Sequence, residues 1–215
     1  MKIGILGTGT VASTIGTKLV QLGHEVRMGS RTMDNQKAAS WAKSNETKAS
    51  HSTFADAAVF GEIVFNCTSG SHSIEALKLA GEKNMRGKIL VDVANPLDFS
   101  GGKLSLTVCN TDSLGEQIQR ALPKTKVVKA LNTVNSDLMV NPSLLNGSHD
   151  IFICGNDPSA KSEVTKILGD WFGWKSVVDL GDITAARGQE MLLPFWIRMM
   201  GVFKTSHFNF KIVRE

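Results

Sequence analysis

Two stretches of the chain carry residue types that can hold a nucleotide cofactor. Gly7-Thr8-Gly9-Thr10-Val11-Ala12 has G-x-G-x-x-A spacing directly behind the apolar run Lys2 to Leu6. Between a strand and a helix, the first glycine allows a tight turn and the second lets a pyrophosphate approach the backbone. The small sixth residue lets helix and strand pack closely. The turn's N–H groups and the helix dipole then attract phosphate. Gly7, Thr8, Gly9, Thr10 and Val11 are thus the candidate phosphate-binding residues.

The second stretch selects the dinucleotide. About 20 residues past such a turn, an Asp or Glu at the tip of the second strand would bind the ribose 2′-hydroxyl of NAD. Here the tip reads Gly29-Ser30-Arg31-Thr32, with no carboxylate. A hydroxyl and a guanidinium stand there instead, the groups that donate hydrogen bonds to a 2′-phosphate. Ser30 and Arg31, with Lys37 as a further cation, therefore indicate NADP(H). A solvated surface turn is the alternative.

Two more strand ends offer polar groups. The run Ile63 to Cys67 leads into Thr68-Ser69-Gly70-Ser71-His72, and Ile89 to Asp92 into Val93-Ala94-Asn95-Pro96. Ligands of open parallel sheets sit beyond the carboxyl ends of the strands, so Thr68, Ser69, His72, Ala94, Asn95 and Pro96 are candidate cofactor-lining residues. No other chemistry has its pattern. The five histidines lack H-x-H or H-E-x-x-H spacing, and Ser69 and Ser71 lack the glycines of a nucleophile elbow. No catalytic acid, base, nucleophile or metal ligand is expected. Three widely spaced cysteines argue against a disulfide framework.

Apolar β-branched runs alternate with helix-periodic stretches, the rhythm of βαβ units. Strands are expected at Lys2 to Leu6, Glu25 to Met28, Ile63 to Cys67, Ile89 to Asp92, Lys126 to Leu131 and Asp150 to Cys154. The fold class is α/β: a Rossmann-type, doubly wound, mostly parallel sheet. Residues 1–147 are expected to form the NADP-binding domain and 148–215 a small C-terminal α/β segment for acceptor binding and dimerisation. In that segment a long helix from about Thr184 precedes a final strand with Phe208, Phe210 and Ile212 on one face. Ser113 and Glu116 have capping-box spacing. The net charge of +4 is scattered, so no nucleic-acid partner is indicated. The N-terminus reads as a strand and not a signal peptide, and Met191 to Phe203 is interrupted by Pro194 and Arg198 and is shorter than a membrane span. A cytoplasmic protein is expected.

The phosphate turn, Gly29-Ser30-Arg31, Asn95-Pro96, Val128-Lys129-Ala130-Leu131-Asn132-Thr133 and Gly155-Asn156-Asp157 together resemble the NADPH-dependent coenzyme F420 reductases. Their relatives include the oxidoreductase domain of membrane ferric reductases. The resemblance spans nearly the whole chain, through Gly181-Asp182, Ala186-Arg187 and Glu190. It implies hydride exchange between NADPH and a deazaflavin (coenzyme F420) or a flavin such as FMN, ring stacked on ring. It places Asn95, Asn132, Thr133 and Val134 near the rings and implies a homodimer. The bulky Met191-Leu-Leu-Pro-Phe-Trp stretch departs from the family's acceptor wall. A β-hydroxyacid or imine dehydrogenase needs a larger helical domain than the roughly 70 residues after Asn146 allow. A non-catalytic NADPH sensor is the remaining alternative. Charge-assisted hydrogen bonds contribute about 1.5–3 kcal/mol each. Arg31→Ser is therefore expected to raise the KM for NADPH by roughly tenfold to more than a hundredfold, far more than that for NADH, in steady-state assays; equal changes would remove the 2′-phosphate assignment.

Overall fold

A computed structural model describes the backbone of residues 1–215 and every side chain but that of Glu46. In chain order the elements are β1 (Lys2–Leu6), α1 (Thr10–Gln21), β2 (Glu25–Ser30), α2 (Gln36–Ser44), β3 (Ala49–Thr53), α3 (Phe54–Phe60), β4 (Ile63–Asn66), α4 (Gly70–Ala80), α5 (Glu82–Met85) and β5 (Ile89–Asp92). There follow a short hairpin of β6 (Leu97–Asp98) and β7 (Ser105–Leu106), then α6 (Leu114–Ala121), β8 (Lys126–Ala130), α7 (Ser136–Val140), β9 (Ile151–Gly155), α8 (Pro158–Lys166), β10 (Val177–Asp179) and α9 (Ala186–Phe203). The main sheet has the order β10-β9-β8-β5-β4-β1-β2-β3. The chain leaves β1 toward β2 and β3, then returns to the other side of β1 as β4. This reversal opens a crevice beyond the carboxyl ends of β1 and β4, where ligands of doubly wound sheets bind.

Every neighbouring pair in this sheet is parallel except β8 and β9. The β8–β9 connection holds a single five-residue α-helix, about 7.5 Å long against about 16 Å for a five-residue strand. It does not carry the chain back to the starting edge, so β9 runs the other way. The longer α8, extended by a π-helical turn over Ile167–Trp171, does make the return, and β10 is parallel to β9.

Alternating strand residues feed two cores. Ile3, Ile5, Phe65, Val91 and Val128 meet α1, α2, α7 and α8 on one face. Leu6, Val64, Leu90, Val127 and Cys154 meet α3, α4, α6 and the start of α9 on the other. Helix α1 closes in a Schellman turn, with Gly23 N–H on the Val20 carbonyl (2.9 Å) and His24 N–H on that of Leu19 (3.1 Å). Ser113 caps α6 as expected, its Oγ accepting from Glu116 N–H at 3.1 Å. The return half of the box is replaced: the Glu116 carboxylate accepts hydrogen bonds from the Ser113 hydroxyl and from a bidentate Arg187 of α9. No helix among the described residues is long and apolar enough to cross a membrane.

Strand β3 was not among the expected strands, and one expected strand is corrected. Strand β3 reads Ala-Ser-His-Ser-Thr; it lies at one outer edge of the sheet, where a strand can form without an apolar run. The expected last strand does not form. Both edges of β9 are already taken by β8 and β10, so residues 205–215 run as an extended tail. Its aromatic alternation is used against α9, where Phe208 stacks on Trp196 at 5.1 Å and Phe210 on Phe195 at 6.0 Å, while Ile212 stays exposed.

One buried residue holds that tail. Asp150 donates its N–H to the Phe210 carbonyl (2.9 Å), and its carboxylate accepts from Lys211 Nζ (2.8 Å), Ile212 N–H (2.6 Å) and Ser176 Oγ (2.6 Å). Burial alone would raise the pKa of this carboxyl group; the Lys211 ammonium, the Ser176 hydroxyl and the Ile212 amide outweigh it and hold the value below the usual carboxylate range. A depressed carboxylate stabilises above its unfolded pKa, about 3.9 for Asp, and loses that contribution as pH falls through the folded value. Hydrogen exchange of residues 205–215 is thus expected to be slow at neutral pH and to lose protection on acidification. Asp150→Ala should remove the protection at pH 7; an unchanged exchange pattern would show that the aromatic contacts suffice.

Candidate functional site

The phosphate turn is shaped by its neighbours. Gly7 adopts φ +120°, and a Cβ there would lie 2.6 Å from the Cys67 carbonyl oxygen. Its N–H donates to the Gly29 carbonyl at 3.0 Å, so β1, β2 and β4 meet at this residue. Gly9 is the N-cap of α1 and has no side-chain cap; nothing lies within 4 Å of where its Cβ would be. The first N–H groups of α1 thus face open space, which suits a phosphate.

At the tip of β2, Ser30 is buried and its hydroxyl donates to the Thr32 carbonyl, committing its proton to the turn. Arg31 is exposed, with no hydrogen bond or ion pair to another of the described residues, and Lys37 is exposed on the first turn of α2. No acidic residue stands at this tip before Asp34.

The crevice continues as a cleft of about 310 Å³ that gathers Val11, Thr68, Ser69, Ala94 and Asn95, with the hairpin's Phe99 at its margin. The cleft is tight where α4 begins: a Cβ on Gly70 would sit 2.0 Å from the Asn95 carbonyl oxygen, so only glycine allows this approach. Pro96 is buried beside the wall. His72 lies exposed on the first turn of α4, its Nδ1 3.0 Å from Ser71 Oγ, and does not line the cleft. A larger recess of about 440 Å³, around Pro142, His149 and Trp174, shares no residue with it.

The end of β8 closes on the same wall. Asn95 Nδ2 donates to the Asn132 carbonyl (2.9 Å) and Asn132 Nδ2 to Asn95 Oδ1 (3.0 Å) and the Gln189 carbonyl (3.2 Å). This ties β5, β8 and α9 together. Leu131, wholly buried, is held at φ +63°, an uncommon conformation for a side-chain-bearing residue and a mark of local strain. Asn132 Oδ1 and Thr133 Oγ1 are buried without a hydrogen-bond partner, while Val134 belongs to the core. Unpartnered buried polar atoms are costly, and a ligand amide would satisfy them.

Behind this wall lies a group that sequence reasoning missed. Lys129 is fully buried, and its three N–H groups have three acceptors: Asp92 Oδ2 (2.8 Å), Glu190 Oε1 (2.7 Å) and the Ala94 carbonyl (2.6 Å). Asp92 Oδ1 accepts from Asn66 Nδ2 at 2.8 Å and Ala94 N–H at 3.3 Å. Glu190 accepts the first N–H groups of α6, from Leu114 at 2.8 Å and Gly115 at 2.9 Å. Burial alone would lower the Lys129 pKa, but Asp92 and Glu190 outweigh it and raise it above the ordinary lysine value. The signal in the sequence was a lysine inside Val-Val-Lys-Ala-Leu, a run otherwise apolar. Two thiols near it are held protonated by contrast: burial pushes Cys67 far up and Cys154 to about 12.

Residues 2–96 match the family described as NADP oxidoreductase, coenzyme F420-dependent. The crystal structure of a candidate F420-dependent NADP reductase from Arthrobacter sp. FB24 superposes with a TM-score of 0.94 at 51% identity, covering 100% of both chains. The chain belongs to this family. As such it is an NADP-dependent oxidoreductase. The F420-dependent NADP reductase of Methanocaldococcus jannaschii is 27% identical over 99% of this chain and 98% of its own. The metalloreductase STEAP3 of Rattus norvegicus is 31% identical over 91% of this chain, which spans only 38% of that protein.

In this oxidoreductase, Lys129→Met would leave two buried carboxylates facing each other without their cation. Removing one partner of a buried ion pair costs about 3–5 kcal/mol, and a loss of that size is expected in urea denaturation at pH 7. A raised lysine contributes fully below its unfolded pKa, about 10.4, and the contribution is lost only as pH rises through the folded value. The difference between the two proteins should therefore persist from pH 6 to 9; a loss under 1 kcal/mol would mean that the cation is dispensable.

Proposed function

We propose that this protein transfers a hydride between NADP(H) and a deazaflavin of the coenzyme F420 type, with the two ring systems stacked across the cleft. The observation that carries this reading is the cleft itself. It presents amides and hydroxyls from Thr68, Ser69 and Asn95, with the buried Asn132 and Thr133 behind Asn95, while Lys129, Asp92 and Glu190 are sealed from it. A wall without an accessible acid or base suits a reaction in which the cofactor carries the chemistry and the protein supplies orientation and a dry site.

The residues divide the work along the crevice. Gly7, Thr8, Gly9, Thr10 and Val11 hold the pyrophosphate at the start of α1, and Arg31 holds the 2′-phosphate, while Ser30, its hydroxyl donating to the Thr32 carbonyl, shapes the β2 tip that carries Arg31. Thr68 and Ser69 border the ribose, with His72 outside the cleft on the exposed first turn of α4; Ala94, Asn95 and Pro96 back the nicotinamide. Asn132 and Thr133 present their unpartnered oxygens to the ring amides, and Val134 supports them from the core. Residues 148–215 form the acceptor side. Met191, Phe195, Val202 and Phe203 on α9 are 39–62% exposed, which supports a homodimer that covers them.

A flavin or ferric acceptor is the second reading, favoured by the likeness to the STEAP3 metalloreductase. Absorbance at 340 nm separates the two. Purified protein with NADPH and oxidised F420 is expected to lose signal, and far more slowly with NADH. Turnover only with FMN would move the protein to the second reading; NADPH binding without turnover on either would make it a sensor. Light scattering of the same sample should give a dimer, and a monomer at micromolar concentration would contradict that part.

A further inference from the structure

All four carboxylate oxygens of Asp92 and Glu190 accept hydrogen bonds, and every one of their partners is a donor: Lys129 Nζ, Asn66 Nδ2 and the N–H groups of Ala94, Leu114 and Gly115. A protonated carboxyl group would have to donate, and none of these neighbours can accept. Lys129 in turn has exhausted its donors. The cluster therefore holds two negative charges against one positive charge, out of contact with water, since the three residues are at most 1% exposed. The α6 N-terminus offsets only about half a unit of charge. The excess lies immediately behind the cleft, because Lys129 and Asp92 both bond the backbone of Ala94, a residue of its wall. In a low-dielectric surround such a charge is weakly screened.

We infer that the buried Asp92–Lys129–Glu190 cluster biases the bound cofactor toward its oxidised form, the excess negative charge favouring the nicotinamide cation over the neutral dihydronicotinamide. The inference rests on the NADP(H) site proposed above. A nicotinamide ring gains one positive charge when it gives up a hydride, so a fixed negative charge behind it lowers the potential of the bound couple and makes bound NADPH a stronger donor. Asp92, Lys129 and Glu190 are positioning residues in this scheme: they are sealed from the cleft and act through their field and through Ala94.

The test is the ratio of dissociation constants for NADP⁺ and NADPH, read by direct binding with no acceptor present. Glu190→Gln and Asp92→Asn each remove one negative charge at opposite ends of the cluster. Both are expected to weaken NADP⁺ relative to NADPH by about tenfold, which is about +30 mV in the bound two-electron couple. Glu190→Asp keeps the charge while shortening the side chain, and should leave the ratio near the wild-type value even if it lowers stability. If Glu190→Gln does not fold, Asp92→Asn gives the same reading. Equal loss of affinity for both forms, a shift toward tighter NADP⁺, or an equally large shift in Glu190→Asp overturns the inference. 2′-Phospho-ADP-ribose, which lacks the nicotinamide, should bind all variants alike. If the wild-type protein fails to bind it, the NADP(H) site reading itself is wrong and the inference falls with it.

Discussion

A buried ammonium group with no unmet donor fixes this structure. Lys129 draws an acceptor from β5, a backbone carbonyl from the loop after β5 and a carboxylate from α9, and that carboxylate caps α6. Each partner lies on a different element, so displacing any of them strands a charge in the interior. Stranded buried charges cost several kcal/mol. The cleft wall and the C-terminal helix are therefore held in one register. The Asn95–Asn132 amide pair, Asn132's bond to Gln189 and the Gly70 contact build on that register.

This arrangement keeps the ionised side chains of the cluster out of contact with the cleft. The ionised groups nearest the cleft have their hydrogen bonds met by one another, by Asn66 and by backbone amides, and the polar groups that border the cleft are amides and hydroxyls. Proton-transfer enzymes need a titrating side chain within hydrogen-bond reach of the substrate; hydride transfer between two stacked rings does not. Pro194 adds a local consequence on α9. A proline cannot donate to the carbonyl four residues earlier, here that of Glu190, so the helix is loosened one turn after its buried carboxylate. Beyond that point α9 turns to the aromatic tail and to its exposed apolar face.

The parts legible in the sequence are those whose geometry is set locally. The phosphate turn, the absence of a carboxylate at the β2 tip and the central strands follow from short-range patterns. What was not legible depends on pairing across the chain. The sequence separations, 37 from Asp92 to Lys129 and 61 from Lys129 to Glu190, leave no periodic mark. Strand β3 was invisible because an outer edge needs no apolar run. The terminal alternation of Phe208, Phe210 and Ile212 misled because a period of two also serves a tail lying against a helix. Ser113 and Glu116 were half legible: the cap is local, but the Arg187 that diverts the Glu116 carboxylate is 71 residues away.

The central functional claim is direct hydride transfer across a cleft with no proton-exchanging group of its own. The measurement that tests it most directly follows deuterium from (4R)- and (4S)-[4-²H]NADPH into reduced F420, whose new bond is to carbon. The account predicts that one of the two labelled cofactors delivers its deuterium to the acceptor undiluted by solvent. Release of the label into water from both, or its random delivery from either face, would contradict it.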